Sequence, residues 1–397
     1  MRTEIENRLL KIARSVVVEQ DVKVDGDLIA DTQNASDAQL SDRAQNVDYT
    51  GMNDIFALAK KHQIQHLVSY YLYAKGDTRL AKRFYSSVTY TVQQVRSAEE
   101  IAEALSLAQI RHVPLKGAVL RKLYREDWMR NSCDIDVLVA EEDIAAAGRV
   151  LESIGYTRLD GLSAHDVAYT RGKIHVELHY LLLEEYRIPE VSRVLSEVWQ
   201  HCEFDGGYTG KMSDEFFYFY HIAHMLKHFE LGGCGIRTVL DTWVLNHRCE
   251  FSQTARSELL SRAGLDKFDE GMRRLAECWF GEEGQDAPDT LERFVLTGGA
   301  YGSVQNSVMV KKKMKGGRLL YLLHRLFAPY AQLKRYYPFL DGRPYLLPIY
   351  EVRRWVDAMR RDKKKYFYEL EENMKKDGHS EKIGEMLDEL GLNKGEK

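Results

Sequence analysis

Two stretches decide how this chain is read: Leu115-Lys116-Gly117-Ala118 and, downstream, Arg130-Asn131-Ser132-Cys133-Asp134-Ile135-Asp136-Val137-Leu138-Val139. The first places a glycine where a short strand, His112-Val113-Pro114-Leu115, gives way to a helix through Val119, Leu120, Leu123 and Tyr124. The second reads as a strand from Asp134 to Val139. Successive strand residues point to opposite faces, so Asp134 and Asp136 project together while Ile135, Val137 and Val139 face the other way. Two carboxylates this close repel unless a proton or cation compensates them, and hard divalent cations take oxygen ligands of this kind. The pair reads as a magnesium site.

Outward from this strand, Ile174-His175-Val176-Glu177-Leu178-His179 puts Ile174, Val176 and Leu178 on one face and His175, Glu177 and His179 on the other. Glu177 then joins the aspartate pair from a neighbouring strand. Three carboxylates suit one or two magnesium ions that bridge nucleotide phosphates, and Glu177 is the candidate for activating an acceptor hydroxyl. A helix over Glu141 to Ile154 closes at Gly155, and strand-like segments follow at Tyr156 to Leu159 and Val167 to Tyr169. The alternation from His112 to Leu183 predicts a small α/β unit. The fold class is α/β of the α+β kind, a small mixed sheet flanked by N- and C-terminal helical segments. The expected divisions are a helical segment over 1–108, the α/β core over 109–188, a helical domain over 189–358 and a charged helical tail over 359–397. Within the first, a polar break falls around Asp31 to Asp37, and Phe56, Leu58, Ala59, His62, Leu67, Tyr70 and Tyr71 form the inner face of paired helices.

The chain has 397 residues, enough for two or three structural units. Its 56 basic and 60 acidic residues leave a formal charge of -4, so overall charge gives no reason to bind nucleic acid or an anionic membrane. Any anion site must be local; nucleic acid stays possible without being indicated. The charged start Met1-Arg2-Thr3-Glu4 is unlike a secretion signal and no apolar run reaches membrane-spanning length, which predicts a cytoplasmic protein with no membrane partner. Five scattered cysteines without Cys-x-x-Cys spacing read as reduced thiols.

The Lys-Gly turn, downstream Arg130, Asp134-Ile135-Asp136 strand and Val176-Glu177-Leu178-His179 strand together resemble the uncharacterised nucleotidyltransferases of the DNA polymerase beta superfamily. Ala59 to His62, His224 to Asp241, and the tract from Tyr337-Pro338 to Leu347-Pro348 also look like that family. The resemblance implies transfer of a nucleoside monophosphate from an NTP such as ATP to an unidentified acceptor hydroxyl. It implies Asp134, Asp136 and Glu177 as metal-binding and catalytic residues, and Lys116, Gly117 and Arg130 as nucleotide-binding ones, with Gly117 the glycine that lets backbone approach phosphate. The chain departs from the pattern in having Gly117-Ala118 where Gly-Gly or Gly-Ser is usual, and in a longer interval from Gly117 to Asp134. Lys116, Arg130 and the amides opening the next helix are the available anion contacts.

His221, His224 and His228 fall at helical spacing among apolar residues, which favours packing or nucleotide contact over metal ligation. Arg237 and Asp241 form either a helix-surface ion pair or part of the cleft. Lys311-Lys312-Lys313-Met314-Lys315-Gly316-Gly317-Arg318 reads as a solvated basic loop. The alternative to catalysis is a nucleotide-sensing or partner-binding protein on the same fold, kept open by the Gly117-Ala118 turn. A histidine-centred metal hydrolase is the third reading.

Overall fold

A computed structural model describes residues 2–19, 49–160, 165–184, 188–282, 289–314, 321, 323, 326–357, 360 and 379–393. The polar break at Asp31 to Asp37, the basic stretch from Lys315 to Arg318 and most of the charged tail lie outside these residues.

The N-terminal helices are α1 (Glu4–Arg14), α2 (Met52–Lys61), α3 (Gln65–Ala74) and the long α4 (Ala81–Leu107). Thr3 and Glu6 form a reciprocal capping box at the start of α1, satisfying amides that the first turn leaves unpaired. The α/β region follows as β1 (His112–Pro114), α5 (Gly117–Leu120), β2 (Ile135–Val139), α6 (Ile144–Ser153), β3 (Thr157–Arg158), β4 (Asp166–Arg171) and β5 (Ile174–His179). The strands form one mixed sheet in the order β1-β2-β5-β4-β3. β2 and β5 are parallel, with Asp136 opposite Glu177, while β1–β2, β4–β5 and β3–β4 are antiparallel.

Near the carboxylates, two details differ from the sequence reading. The strand begins at Ile135, so Asp134 sits in the bend that leads into it. The helix after the Lys-Gly turn runs only from Gly117 to Leu120 before tightening into a 3₁₀ turn over Arg121–Leu123. One turn carries too little aligned dipole to hold an anion by itself.

Ile135, Val137 and Val139 on one sheet face pack with Ile101 and Leu105 of α4 and Ala147 and Leu151 of α6. Leu138, on the opposite face, joins Val113 and Leu115 in a larger core with the helices that follow. These are α7 (Pro189–Leu195), α8 (Asp214–Glu230), α9 (Gly235–Arg248), α10 (Gln253–Arg262), α11 (Asp266–Phe280), α12 (Asp289–Gly298), α13 (Val304–Met314), α14 (Tyr330–Tyr336) and α15 (His379–Glu389), with a short hairpin β6 (Cys202–Glu203) and β7 (Lys211–Met212) between α7 and α8. The run Phe216-Phe217-Tyr218-Phe219-Tyr220 is buried throughout, because a helix apolar on every side belongs inside a core. The same core takes in Leu9 and Ile55 from the N-terminal helices and Leu387 from α15. Lys311, Lys312 and Lys313 form the last turn of α13, not a loop: cations there oppose the negative C-terminal end of the helix dipole.

One buried histidine ties the N-terminal helices to this body. His62 accepts a hydrogen bond from the Ile236 amide at Nδ1 (3.1 Å), and its Nε2 lies 3.1 Å from the Leu296 carbonyl, to which it donates. The bond accepted at Nδ1 requires the neutral ring. Burial pushes its pKa down to about 4, and burial does the same to His66, whose Nε2 lies 3.0 Å from the Met129 carbonyl. With ordinary values of 6.5, the unfolded chain binds more protons than the folded one between these limits, so stability is full above pH 6.5 and falls as pH drops toward 4. Each ring accounts for about 3 kcal/mol at most. Urea melts at pH 7 and pH 4.5 should show this loss, and His62→Gln, whose amide donates and accepts without titrating, should show a smaller one.

Candidate active site

Asp134, Asp136 and Glu177 line one cavity of about 310 Å³, together with Lys116, Gly117 and Arg130. The sheet supplies Asp136 and Glu177, the β1–β2 connection supplies Lys116, Gly117, Arg130 and Asp134, and helices α8 and α9 form the facing wall through Tyr220, His224, Arg237 and Asp241. His175, on the same strand as Glu177, is exposed and does not line it.

Asp136 is the most heavily engaged group. Its Oδ1 accepts from Lys116 Nζ and from His179 Nε2, both at 2.8 Å, and His179 Nε2 also lies 3.2 Å from Glu177 Oε2. Burial alone would raise the pKa of Asp136, but the adjoining lysine and imidazole hold it well below the usual carboxylate range. Burial likewise opposes charge on Lys116 and His179, yet Asp136 keeps both raised, with Glu177 helping at His179. Asp134 is the reverse case. No ion pair compensates it among the described residues, and burial together with the neighbouring Asp136 charge pushes its carboxyl up to about 6. The cavity therefore holds a carboxylate that is short of positive charge.

The donors fit a hard divalent cation. Asp136 and Glu177 offer carboxylate oxygens within 4.8 Å of one another beside His179, and Asp134 lines the same cavity. The strand alternation brought Glu177 to Asp136 as expected, and it is the parallel register that sets them side by side.

The turn that carries Lys116 is strained. Its φ is +40° with ψ at -111°, a conformation that costs a non-glycine residue on the order of 1–3 kcal/mol. Neighbouring bonds over-determine it: Leu115 N donates to Asp136 O, and Lys116 O accepts from the Leu120 amide. Gly117 also has a packing role that the sequence did not reveal. A Cβ there would lie 1.8 Å from Ser132 Oγ, so the missing side chain admits Ser132. Buried Arg121 clamps both, donating from Nε to Gly117 O (2.9 Å) and from Nη2 to Ser132 Oγ (3.2 Å). On α4, Gln94 donates to Ser132 O and Thr91 to Asn131 Oδ1, fixing the approach to Asp134.

The phosphate candidates are differently placed. Arg130 donates to Asp241 Oδ1 at 2.6 Å, and Tyr124 donates to the same oxygen at 2.8 Å. Asp241 thus pairs with Arg130 across the fold instead of forming a helix-surface pair with Arg237. Arg237 donates to the Asn131 carbonyl, while its Nε is buried with no hydrogen-bond partner among the described residues. Burial and the nearby Arg130 charge both lower its basicity, although a guanidinium remains charged.

His221, His224 and His228 share the cavity wall. His221 Nε2 is 2.9 Å from Thr242 Oγ1, which itself donates to Thr238 O, so the imidazole is the donor. Burial lowers the pKa of His221 to about 4 and pushes that of His224 well down too. None of the three belongs to a group of potential metal donors among the described residues.

A family model described as uncharacterised nucleotidyltransferase matches residues 49–281, more than half of the chain, including Lys116, Gly117, Arg130, Asp134, Asp136 and Glu177. The chain belongs to the uncharacterised nucleotidyltransferase family. As a nucleotidyltransferase it is an enzyme, of α+β fold with a mixed five-stranded sheet. No curated protein matches it. The tract from Tyr337 to Pro348 lies beyond the family match. Among the described residues no helix is long and apolar enough to cross a membrane.

The close packing at Gly117 has a direct test. Gly117→Ala should destabilise the protein by about 1–3 kcal/mol in urea melts, and Ser132→Gly should recover most of that loss in the double variant. Additive losses would contradict the packing account.

Proposed function

We propose that the enzyme is a magnesium-dependent nucleotidyltransferase that moves a nucleoside monophosphate from an NTP such as ATP to an acceptor hydroxyl. The observation that supports this most is the under-compensated Asp134 beside Asp136 and Glu177, facing a wall that carries Arg237. Asp134 and Asp136 would hold the metal, with Glu177 as third ligand or as base. Magnesium, when bound, would neutralise phosphate oxygens and favour the ionised acceptor oxygen.

The remaining steps fall to side chains of the chain. Lys116, Arg130 and Arg237 would hold the triphosphate, alongside the Gly117 backbone; Arg237 is the cation least committed to a protein carboxylate. The acceptor oxygen forms a bond to the α-phosphorus as the bond from that phosphorus to the α,β-bridging oxygen breaks. Its proton passes to Glu177, and pyrophosphate leaves with the electron pair. Lys116 keeps Asp136 ionised throughout.

One observation favours a non-catalytic nucleotide-binding protein as the second reading: Lys116 Nζ, 2.8 Å from Asp136, is a cation already at the carboxylates. Transfer of label from α-labelled NTPs to a panel of hydroxyl acceptors separates the two. The catalytic reading predicts magnesium-dependent labelling and pyrophosphate release, lost in Asp134→Asn. Nucleotide binding with no pyrophosphate release across the panel supports the other. Asp136→Asn is the poorer probe, since it strands Lys116 and His179, and breaking a buried ion pair costs about 3–5 kcal/mol.

Arg237 gives a second prediction. Arg237→Gln should raise KM for the NTP roughly tenfold in steady-state kinetics, the scale expected for a lost charged hydrogen bond, with a smaller change in kcat. An unchanged KM would remove Arg237 from the phosphate site.

A further inference from the structure

Beside the carboxylate group lies a second cluster in the same cavity, formed by His165, Asp166 and His179. One donor atom from each lies within 4.8 Å of the others. Asp166 faces His179 across the antiparallel β4–β5 pair, and His165 immediately precedes β4.

The hydrogen bonds define which ring nitrogens carry lone pairs. Lys227 Nζ, which can only donate, is 3.1 Å from His165 Nε2, so Nε2 is the acceptor. The other nitrogen, Nδ1, therefore carries the ring proton and lies 3.2 Å from Oε1 of the buried Glu184 carboxylate. A carboxylate behind an imidazole in this way orients it and strengthens its lone pair toward a cation. Nε2 of His165 is 3.0 Å from Asp166 Oδ2. With Nε2 an acceptor, these atoms are two donors turned to a common positive charge, and about 3 Å is the separation of adjacent ligands whose metal bonds are ~2.0–2.1 Å. His179 donates its Nε2 proton to Asp136, while its Nδ1 is buried with no hydrogen-bond partner among the described residues.

We propose that His165, Asp166 and His179 form a second divalent-cation site, selective for a borderline transition ion such as zinc, separate from the carboxylate site at Asp134, Asp136 and Glu177. Imidazole suits zinc, copper, iron and nickel, whereas magnesium favours oxygen ligands throughout, so the two donor sets divide the ions between them. Glu184 supports the site from behind His165. Lys227 is the competing cation: its ammonium occupies the His165 lone pair and must swing away when an ion binds. His179 touches both sites, Asp136 through Nε2 and the second ion through Nδ1.

The site is independent of nucleotidyl transfer, because metal uptake is its readout. Chelator-stripped full-length protein is titrated with zinc in excess magnesium by calorimetry, with bound metal counted after dialysis. Wild type should take up one zinc per chain. His165→Gln and Asp166→Asn should lose it while Asp134→Asn retains it, and Glu184→Gln should weaken it roughly 10–100-fold. Lys227→Met should tighten binding about tenfold by removing like charge, an effect that structural damage does not produce. No zinc uptake by wild type or Lys227→Met, equal uptake by His165→Gln, or loss in Asp134→Asn matching that in His165→Gln would each overturn the proposal.

Discussion

The site depends on the buried Asp136 carboxylate and the two hydrogen-bond donors that hold it. A charge this deep is costly without partners, and Lys116 and His179 supply them from opposite sides. Each partner constrains something further. Lys116 reaches Asp136 from a strained backbone at the start of the β1–β2 connection. His179 draws Glu177 toward Asp136 and carries the sheet's polar face on to Asp166. Burial and the ionised state of Asp136 together raise the pKa of Asp134, which leaves the cavity short of positive charge.

The strain at Lys116 and the burial of Arg121 have a common origin. A long connection between two adjacent antiparallel strands must fold back over the sheet end, and its polar groups need partners there. Arg121 serves as the internal clamp, Gly117 makes room for Ser132, and the polar stripe of Thr91 and Gln94 on α4 receives the outgoing chain. Helices α8 and α9 close the cavity from the other side, where Asp241 gathers Arg130 and Tyr124 into one buried network. That network ties the helical wall to the connection.

Local pattern made part of this visible. Alternation along Ile135 to Val139 and Ile174 to His179 was enough to separate the face packed on α4 and α6 from the face that carries Asp136 and Glu177, since a strand's period of two is intrinsic to the backbone. It also put Glu177 and His179 on one face. The partners of Ser132, Asp241 and Asp166 were not legible, because each lies on an element remote in sequence and its choice depends on tertiary packing. Gly117 was visible as a position of close approach, but the approach of Ser132 was not, since it leaves the same mark as an approach by phosphate. Arg121 had only a weak local sign, its i, i+4 spacing from Gly117, which lets its side chain reach back to that carbonyl. The lysines at 311 to 313 misled because a charged run suggests a loop and equally suits a helix C-terminus.

The central claim is that the carboxylate group binds a divalent cation and nucleotide together. The most direct test is the thermal shift produced by a non-hydrolysable α,β-methylene NTP, with and without magnesium, in wild type and in an Asp134→Asn/Glu177→Gln double variant. Each shift is referred to its own ligand-free baseline, since only selective binding to the folded state moves it. A stabilisation that appears with magnesium and nucleotide together in wild type and is lost in the variant is the predicted result. An equal shift without magnesium, or one that survives both substitutions, would contradict the account.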